Sequence, residues 1–247
     1  MTHKDMIFGT RAVIEAVRAG RPIEKILIQS GLSNELIREL LEEIKKHKVP
    51  MSFVPAEKLA RLSSKNHQGV VCLLSAVTYA RVEDLIDFAY HQGKDPFFLV
   101  VDRVTDVRNF GAMARTADCA GLTGIIIGDK GNAPITGDAV KTSAGALNYL
   151  PVCKVPDVRK IISLLKQNGI KVVACTEKAT DDVYASNLTG PLAIIVGSEE
   201  DGISPELLKV ADHLVKIPMF GNIASLNVSV DAAISMYEAV RQRQAQR

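Results

Sequence analysis

Three stretches of the chain carry polar side chains at spacings that could do chemistry together. In the first, Asp102 and Arg103 are followed by Asp106, Asn109, Gly111 and Arg115. If Asn109 caps a helix, Arg115 lies almost two turns along it, among Ala112, Met113, Ala114 and Ala117, and is expected to be partly buried. A buried guanidinium needs an anion, and its planar fork suits phosphate or carboxylate. A structural pair with Asp118 would satisfy it equally. In the second stretch, Gly197 and Gly202 bracket Glu199, Glu200 and Asp201. Glycine lets a ligand approach the backbone closely; a solvated loop is the plain alternative. Three successive carboxylates do not match the alternating ligand spacing of an EF-hand. In the third, Pro218 and the Gly221-Asn222 turn signal end an apolar run, and Ser225, Asn227 and Ser229 lead into a helical pattern. One such oxygen would cap the helix. Three are a surplus, for which a bound ligand is one partner and ordinary capping the other reading.

These stretches must be held by regular elements, and the pattern supplies them. Apolar runs at 97–101, 124–127, 152–155, 171–174, 192–196 and 214–217 read as strands. Helical periodicity falls at 109–120, 137–146, 158–167, in a short piece opened by Ser204 and Pro205, and at 228–243. Val/Ile runs with helical connections indicate a parallel sheet covered on both faces. In such sheets ligands bind beyond the carboxyl ends of the strands, where all three polar stretches fall. Residues 1–75 form a separate, smaller α/β pattern: a helix over 7–17 entered at Gly9 and Thr10, strands at 26–29, 51–54 and 69–74, and helices after Ser33 and from Pro55. Residues 76–95, mostly a helix ending in Gly93 to Pro96, are expected to link it to a second domain over 96–247.

Bulk properties narrow the class. A hydrophobic content of 47% with 23% charged residues describes a globular chain. No apolar run approaches the length of a membrane helix, and the first residues lack a signal-peptide core, so no membrane partner and a cytoplasmic location are expected. Cys72, Cys119, Cys153 and Cys175 are far apart, which argues against a zinc site and a disulfide framework; no metal is expected. The net charge of +2 is too small to announce nucleic-acid binding, but residues 1–75 carry a net +4, a bias that suits a phosphate-facing surface. Dinucleotide-binding, Walker A and nucleophile-elbow glycine patterns are missing.

Asn109, Gly111, Ala112, Arg115 and Ala117, then Gly197, Glu199 and Gly202, then Ile217, Pro218, Met219, Ser225, Leu226, Asn227, Val228 and Ser229 stand in the order and spacing of three motifs. Together they resemble the SpoU/TrmH branch of the SPOUT superfamily, over about residues 97–243. Phe8, Gly9, Val13, Glu15 and Ala16 at the start, with His67 to Val71 later, resemble the ribosomal-protein-L30e-like RNA-binding domain of the same family. The two-part arrangement is similar to bacterial enzymes that methylate a 23S rRNA guanosine.

The resemblance implies a SPOUT α/β domain with a C-terminal trefoil knot, a rare exception to unknotted chains. It implies S-adenosylmethionine as methyl donor, held by backbone groups near Thr176, Gly197, Ile217, Met219 and Leu226. It also implies a homodimer formed through the catalytic domain, with the partner's Arg115 or the partner's Asn109 completing each site. The implied roles are Arg115 at the target ribose and phosphate, Glu199 orienting Arg115 or the nucleotide, Asn109 at the ribose, and Ser225 and Asn227 at the cofactor loop and target. Three positions depart from the family pattern: Val107 where proline is common, Glu200 and Asp201 where small or basic residues are common, and Asp231 where a small residue is common. The expected function is methylation of an RNA ribose 2'-hydroxyl, with rRNA as substrate. The same reaction on tRNA, or a non-catalytic RNA-binding or ribosome-assembly role, are the alternatives.

Overall fold

The computed structural model describes residues 6–62, 66–223 and 225–246. The first five residues and Ala224, the latter inside the third polar stretch, lie outside the described residues. The chain divides into two compact units, Met1–Thr78 with Pro134–Gly137, and Tyr79–Ala133 with Asp138–Arg247.

The first unit contains β1 (Met6–Phe8), α1 (Thr10–Arg18), β2 (Ile23–Gln29), α2 (Glu35–His47), β3 (Met51–Val54), α3 (Ala56–Leu62) and β4 (Val70–Leu74). The four strands lie in the order β1-β4-β2-β3. β4 is antiparallel to both β1 and β2, and the β2–β3 pairing is parallel, so β1, β2 and β3 share one direction. Val13, Ile14 and Val17 of α1 and Ile37, Leu40 and Ile44 of α2 recur at three- and four-residue intervals. They bury one helix face each with Ile26, Ile28, Val70 and Cys72 of the sheet. Leu27, Val71 and Leu73, alternating with these along the strands, pack on the other face with Val54 and Leu59.

The second unit begins with α4 (Val82–His91) and β5 (Phe97–Val101), followed by α5 (Val107–Cys119) and β6 (Gly124–Gly128). α6 (Gly137–Thr142), β7 (Val152–Val155), α7 (Val158–Gln167), β8 (Lys171–Cys175) and β9 (Asp181–Asp182) come next. β10 (Leu192–Val196), the single-turn α8 (Pro205–Leu208), β11 (His213–Lys216) and α9 (Val228–Gln244) complete it. Its seven strands run in the order β7-β6-β5-β10-β8-β11-β9, and every pairing is parallel. All five residues of β5 and of β10 are buried, as expected when helices cover both faces. Phe98, Val100, Ala193 and Ile195 face one layer with Ile162 and Leu165 of α7. The helix expected within 76–95 is α4, and its Val82 and Ile86 belong to this same core.

Two expectations fail in α5. Asp106, not Asn109, caps the helix, its carboxylate accepting from the Arg108 N–H at 2.7 Å. Asn109 therefore stands inside the first turn. Arg115 is exposed rather than partly buried, with no ion pair to Asp118 among the described residues. The helix buries Phe110, Met113, Ala114 and Ala117. At about 100° per residue this stripe leaves Arg115 roughly 140° round the helix from Phe110.

Candidate active site

Each of the three polar stretches follows a strand of the parallel sheet, so all three emerge at its carboxyl edge. The first follows β5. Asp102 is buried, and its Oδ2 accepts from the Ser204 N–H at 2.7 Å and from Arg103 Nε at 3.4 Å. Arg103 takes a left-handed backbone conformation, φ +58°. Its Nη1 donates to Asp201 at 3.2 Å and its Nη2 to the Gly202 carbonyl at 3.0 Å. One side chain thus ties the loop after β5 to the turn after β10.

That turn closes on itself. The Ser198 N–H donates to the Gly202 carbonyl at 3.1 Å, and the Gly202 N–H returns to the Ser198 carbonyl at 3.0 Å. A Cβ on Gly197 would stand 2.1 Å from the Gly202 carbonyl carbon, so no larger residue fits there while the turn is closed. Gly202 has φ +67°, a conformation that glycine adopts without a steric penalty.

The third stretch enters α9 through Asn227. Its Oδ1 accepts from the Ser229 N–H at 2.9 Å and from the Ser229 hydroxyl at 2.5 Å, and so caps the helix. Its Nδ2 donates to Glu199 Oε1 at 2.5 Å and to Asn109 Oδ1 at 3.1 Å. Asn109 Nδ2 in turn donates to Glu199 Oε1 at 2.8 Å. Asn109, Glu199 and Asn227, one from each stretch, thus form a closed triangle. The Oε1 atom of Glu199 is fully engaged, and its Oε2 has no partner among the described residues.

Two hollows share the 198–201 turn as a wall. The larger, about 500 Å³, is lined by Gly197, Glu199, Ser225, Leu226 and Val228, by Cys175 and Glu177 beyond β8, and by Asp231 in the first turn of α9. The smaller, about 280 Å³, lies on the other side, against Thr105, Asp106 and Asn109. Of the residues singled out in the sequence, Gly197, Glu199, Ser225 and Leu226 meet at the larger hollow, and Asn109 and Glu199 at the smaller. Thr176 is buried at the end of β8, its N–H donating to the Val215 carbonyl at 2.8 Å, between two lining residues of the larger hollow. Ile217 and Met219 follow β11 and line neither hollow, and Arg115 is outside the triangle.

Arg103, Glu177 and Asp231 had no site role assigned from sequence. Arg103 was legible in principle, as a cation directly after a buried strand. It also resolves one departure: the extra negative charge of Asp201 is met by a guanidinium of the same unit. Burial, and secondarily the negative charge of Glu177, pushes the Asp231 carboxyl up to about 6. Burial raises the neighbouring Cys175 thiol to about 11, so it stays protonated near neutral pH. Among the described residues no helix is long and apolar enough to cross a membrane, and no cluster of three or more potential ligands could hold a metal.

Comparison with known proteins decides the family. The SpoU rRNA methylase family profile matches residues 96–237, and a profile for RNA 2'-O ribose methyltransferase substrate binding matches residues 6–80. The chain belongs to the SpoU/TrmH family of RNA methyltransferases. It is 34% identical over 239 residues to a Bacillus subtilis protein named as a TrmH family tRNA/rRNA methyltransferase, YacO, covering 97% of this chain and 96% of that one. A Staphylococcus aureus (strain MSSA476) protein named for the same family is 36% identical over 238 residues, covering 96% of each chain. Among solved structures, the SpoU methyltransferase AviRb from Streptomyces viridochromogenes, in complex with AdoMet, superposes with a TM-score of 0.62 at 26% identity. The match covers 97% of this chain and 90% of that one. The family's mixed α/β architecture with a parallel sheet is therefore also the architecture of this chain.

Proposed function

We propose that the protein methylates a ribose 2'-hydroxyl in RNA, with S-adenosylmethionine as donor and a guanosine of 23S rRNA as target. The observation that carries this reading is the triangle of Asn109, Glu199 and Asn227, set between two hollows that share Glu199. The larger hollow fits the donor. Its volume is within the usual range for small-molecule sites, it offers Leu226 and Val228 to an apolar group, and its acidic side chains suit a cation. Backbone groups of Thr176, Gly197, Ile217, Met219 and Leu226 would hold it. The donor supplies a methyl group on a positively charged sulfur.

The protein's own task is then to place the 2'-hydroxyl in line with that methyl and to manage the departing proton. Glu199 Oε2, unengaged beside the smaller hollow, is positioned to accept a hydrogen bond from the incoming ribose. Asn109 and Asn227 hold that carboxylate in place by donating to its other oxygen. Arg115 stays protonated, as guanidinium does in proteins, and acts as a phosphate clamp rather than a base. Its exposure and its distance along α5 from the triangle support delivery across a homodimer, to the site of the second copy. The hydrogen bond from Asn227 to Glu199, which ties the chain after β11 to the 197–202 turn, supports a C-terminal knot. The first unit, with its positive bias and its match to a substrate-binding profile, holds the RNA as an L30e-like domain. The protein acts in the cytoplasm and needs no metal.

Methylation of tRNA is a second reading, favoured by relatives whose names carry both substrates. Incubation with labelled S-adenosylmethionine and unmodified rRNA or tRNA, followed by nuclease mapping, tests both. Label on a 2'-oxygen of 23S rRNA is expected. Label only in tRNA moves the assignment to the second reading, and label on a base, or no transfer, removes the ribose reaction.

A further inference from the structure

We propose that Asp231, supported by Glu177, makes the larger hollow select the positively charged methyl donor over its demethylated product. The inference rests on the cofactor reading above and assigns it a specificity-determining residue. Asp231 lies in the first turn of α9, half-buried, with its side chain lining the hollow. The carboxylate has no hydrogen bond or ion pair among the described residues. The other titratable and charged groups around the hollow come from two segments. The end of β8 contributes Cys175, Glu177 and Lys178, and the turn after β10 contributes Glu199, Glu200 and Asp201.

Most of these charges are already occupied or exposed. Asp201 is paired with Arg103, and Glu199 receives two amide N–H groups. Lys178 and Glu200 are exposed, and Lys178 makes no ion pair among the described residues. Cys175 accepts a hydrogen bond from the Ser235 hydroxyl at 3.3 Å and is neutral near pH 7. Asp231 is left as the half-buried negative charge without a partner. An unpaired carboxylate in a low-dielectric wall is unfavourable, and an opposite charge placed beside it recovers that cost.

The two ligands differ in the feature this arrangement reads. S-adenosylmethionine carries a sulfonium, an ammonium and a carboxylate, for a net charge of about +1 near neutral pH. The product, S-adenosylhomocysteine, has lost the methyl group and with it the sulfonium charge, and is close to neutral. An ionised Asp231 therefore attracts the donor and is indifferent to the product's thioether. The same residue helps the product leave after transfer. Because burial and Glu177 hold the Asp231 carboxyl near 6, its charge is present at pH 7.5 and mostly absent at pH 5.

Calorimetric titration of the intact protein with each of the two nucleosides, between pH 5 and pH 8, tests the assignment. The wild-type ratio of donor to product affinity should be largest above pH 7 and shrink as pH falls through about 6. One charge–charge contact at a partly exposed site corresponds to roughly tenfold in that ratio. Asp231→Asn, which keeps the shape and removes the charge, should lose that tenfold, leave product affinity unchanged and remove the pH dependence. Glu177→Gln should reduce the ratio less and move the pH transition downward. Equal weakening of both ligands in Asp231→Asn would make the residue a shape contact and overturn the proposal. An unaltered ratio would overturn it as well. If the wild-type protein binds neither nucleoside, the cofactor reading falls first; if it binds both and the ratio ignores Asp231, only the present inference falls.

Discussion

In the first unit, Arg18 at the end of α1 donates to Glu39 and Glu43 of α2 at 2.9 Å each, and Asn34 caps α2 by accepting from the Ile37 N–H. These polar groups fasten neighbouring helices and helix ends. In the second unit, Asn109, Glu199 and Asn227 are 28 to 118 positions apart in the chain and bond to one another. The difference follows from strand direction. In the mixed sheet β4 runs against β1, β2 and β3, so the chain leaving β4 emerges at the opposite edge from the loops after the other three, whereas an all-parallel sheet brings every loop after a strand to one edge. Polar residues in the first arrangement stabilise locally, and those in the second can be gathered into a site.

The sharpest way to break that contrast is at Gly197. A methyl group there meets backbone atoms on the far side of the turn at 2.1 to 2.4 Å, and backbone cannot rotate away as a flexible side chain can. Gly197→Ala should open the 198–202 turn, at a cost of at least about 3 kcal/mol, and abolish donor binding. A variant that melts at the wild-type temperature would show that the turn is not closed as described. Next comes the independence of the two units. Leu40 is fully buried in the first unit, and Leu40→Ala should cost about 2–5 kcal/mol there. RNA affinity should fall, while donor affinity measured below the melting transition stays within twofold. Loss of donor affinity would mean that the site depends energetically on the mixed sheet.

How far the sequence discloses this contrast depends on the kind of signal. The six long strands of the second unit are plain because each is a predominantly apolar run, broken at most by a lysine or histidine such as Lys154 in β7 or Lys216 in β11. β1 and β9, three and two residues long, carry no periodicity and exist only because a longer strand offers them an edge. The same limit applies to the site. Asn109, Glu199 and Asn227 can be named from residue type and position after a strand, but not their mutual hydrogen bonds, which depend on how the strands are ordered. The cap of α5 was misplaced because Asn and Asp are both good caps and local pattern does not choose between Asn109 and Asp106. The exposure of Arg115 was readable from the helical stripe of Phe110, Met113, Ala114 and Ala117, once the helix is given its correct start.

That exposure leads to the third prediction. A guanidinium with no hydrogen bond or ion pair among the described residues should be dispensable for folding, unlike Arg18. Arg115→Ala should lower methyl transfer at least about a hundredfold while leaving donor affinity and melting temperature near wild type. A parallel fall in all three would make Arg115 structural. Mixing Arg115→Ala with a Glu199→Gln variant sharpens the dimer proposal, because heterodimers would regain one intact site if Arg115 acts across subunits, and none would return if it acts within its own.

The smallest effect has the most informative sign. Glu43 of the first unit is held below the usual carboxylate range, first by its hydrogen bond from Arg18, so its contribution to stability is present at neutral pH and lost as pH falls. Asp231 is raised to about 6 from an ordinary value of 3.8, so the folded protein binds its proton more tightly than the unfolded chain does. Stability attributable to Asp231 therefore declines as pH rises from about 4 through about 6, and above that the ionised carboxylate is a fixed cost. Allowing for its partial exposure, that cost is on the order of 1 kcal/mol. Asp231→Asn should accordingly raise the melting temperature of the ligand-free protein at pH 7.5 and leave it unchanged at pH 4, the reverse of the pattern for Glu43→Gln. Saturating S-adenosylmethionine should erase the advantage of the variant, because the donor's charge compensates the carboxylate in the wild type alone. A melting temperature that drops at pH 7.5 in Asp231→Asn would show that the carboxylate has a stabilising partner and belongs with the fasteners of the first unit.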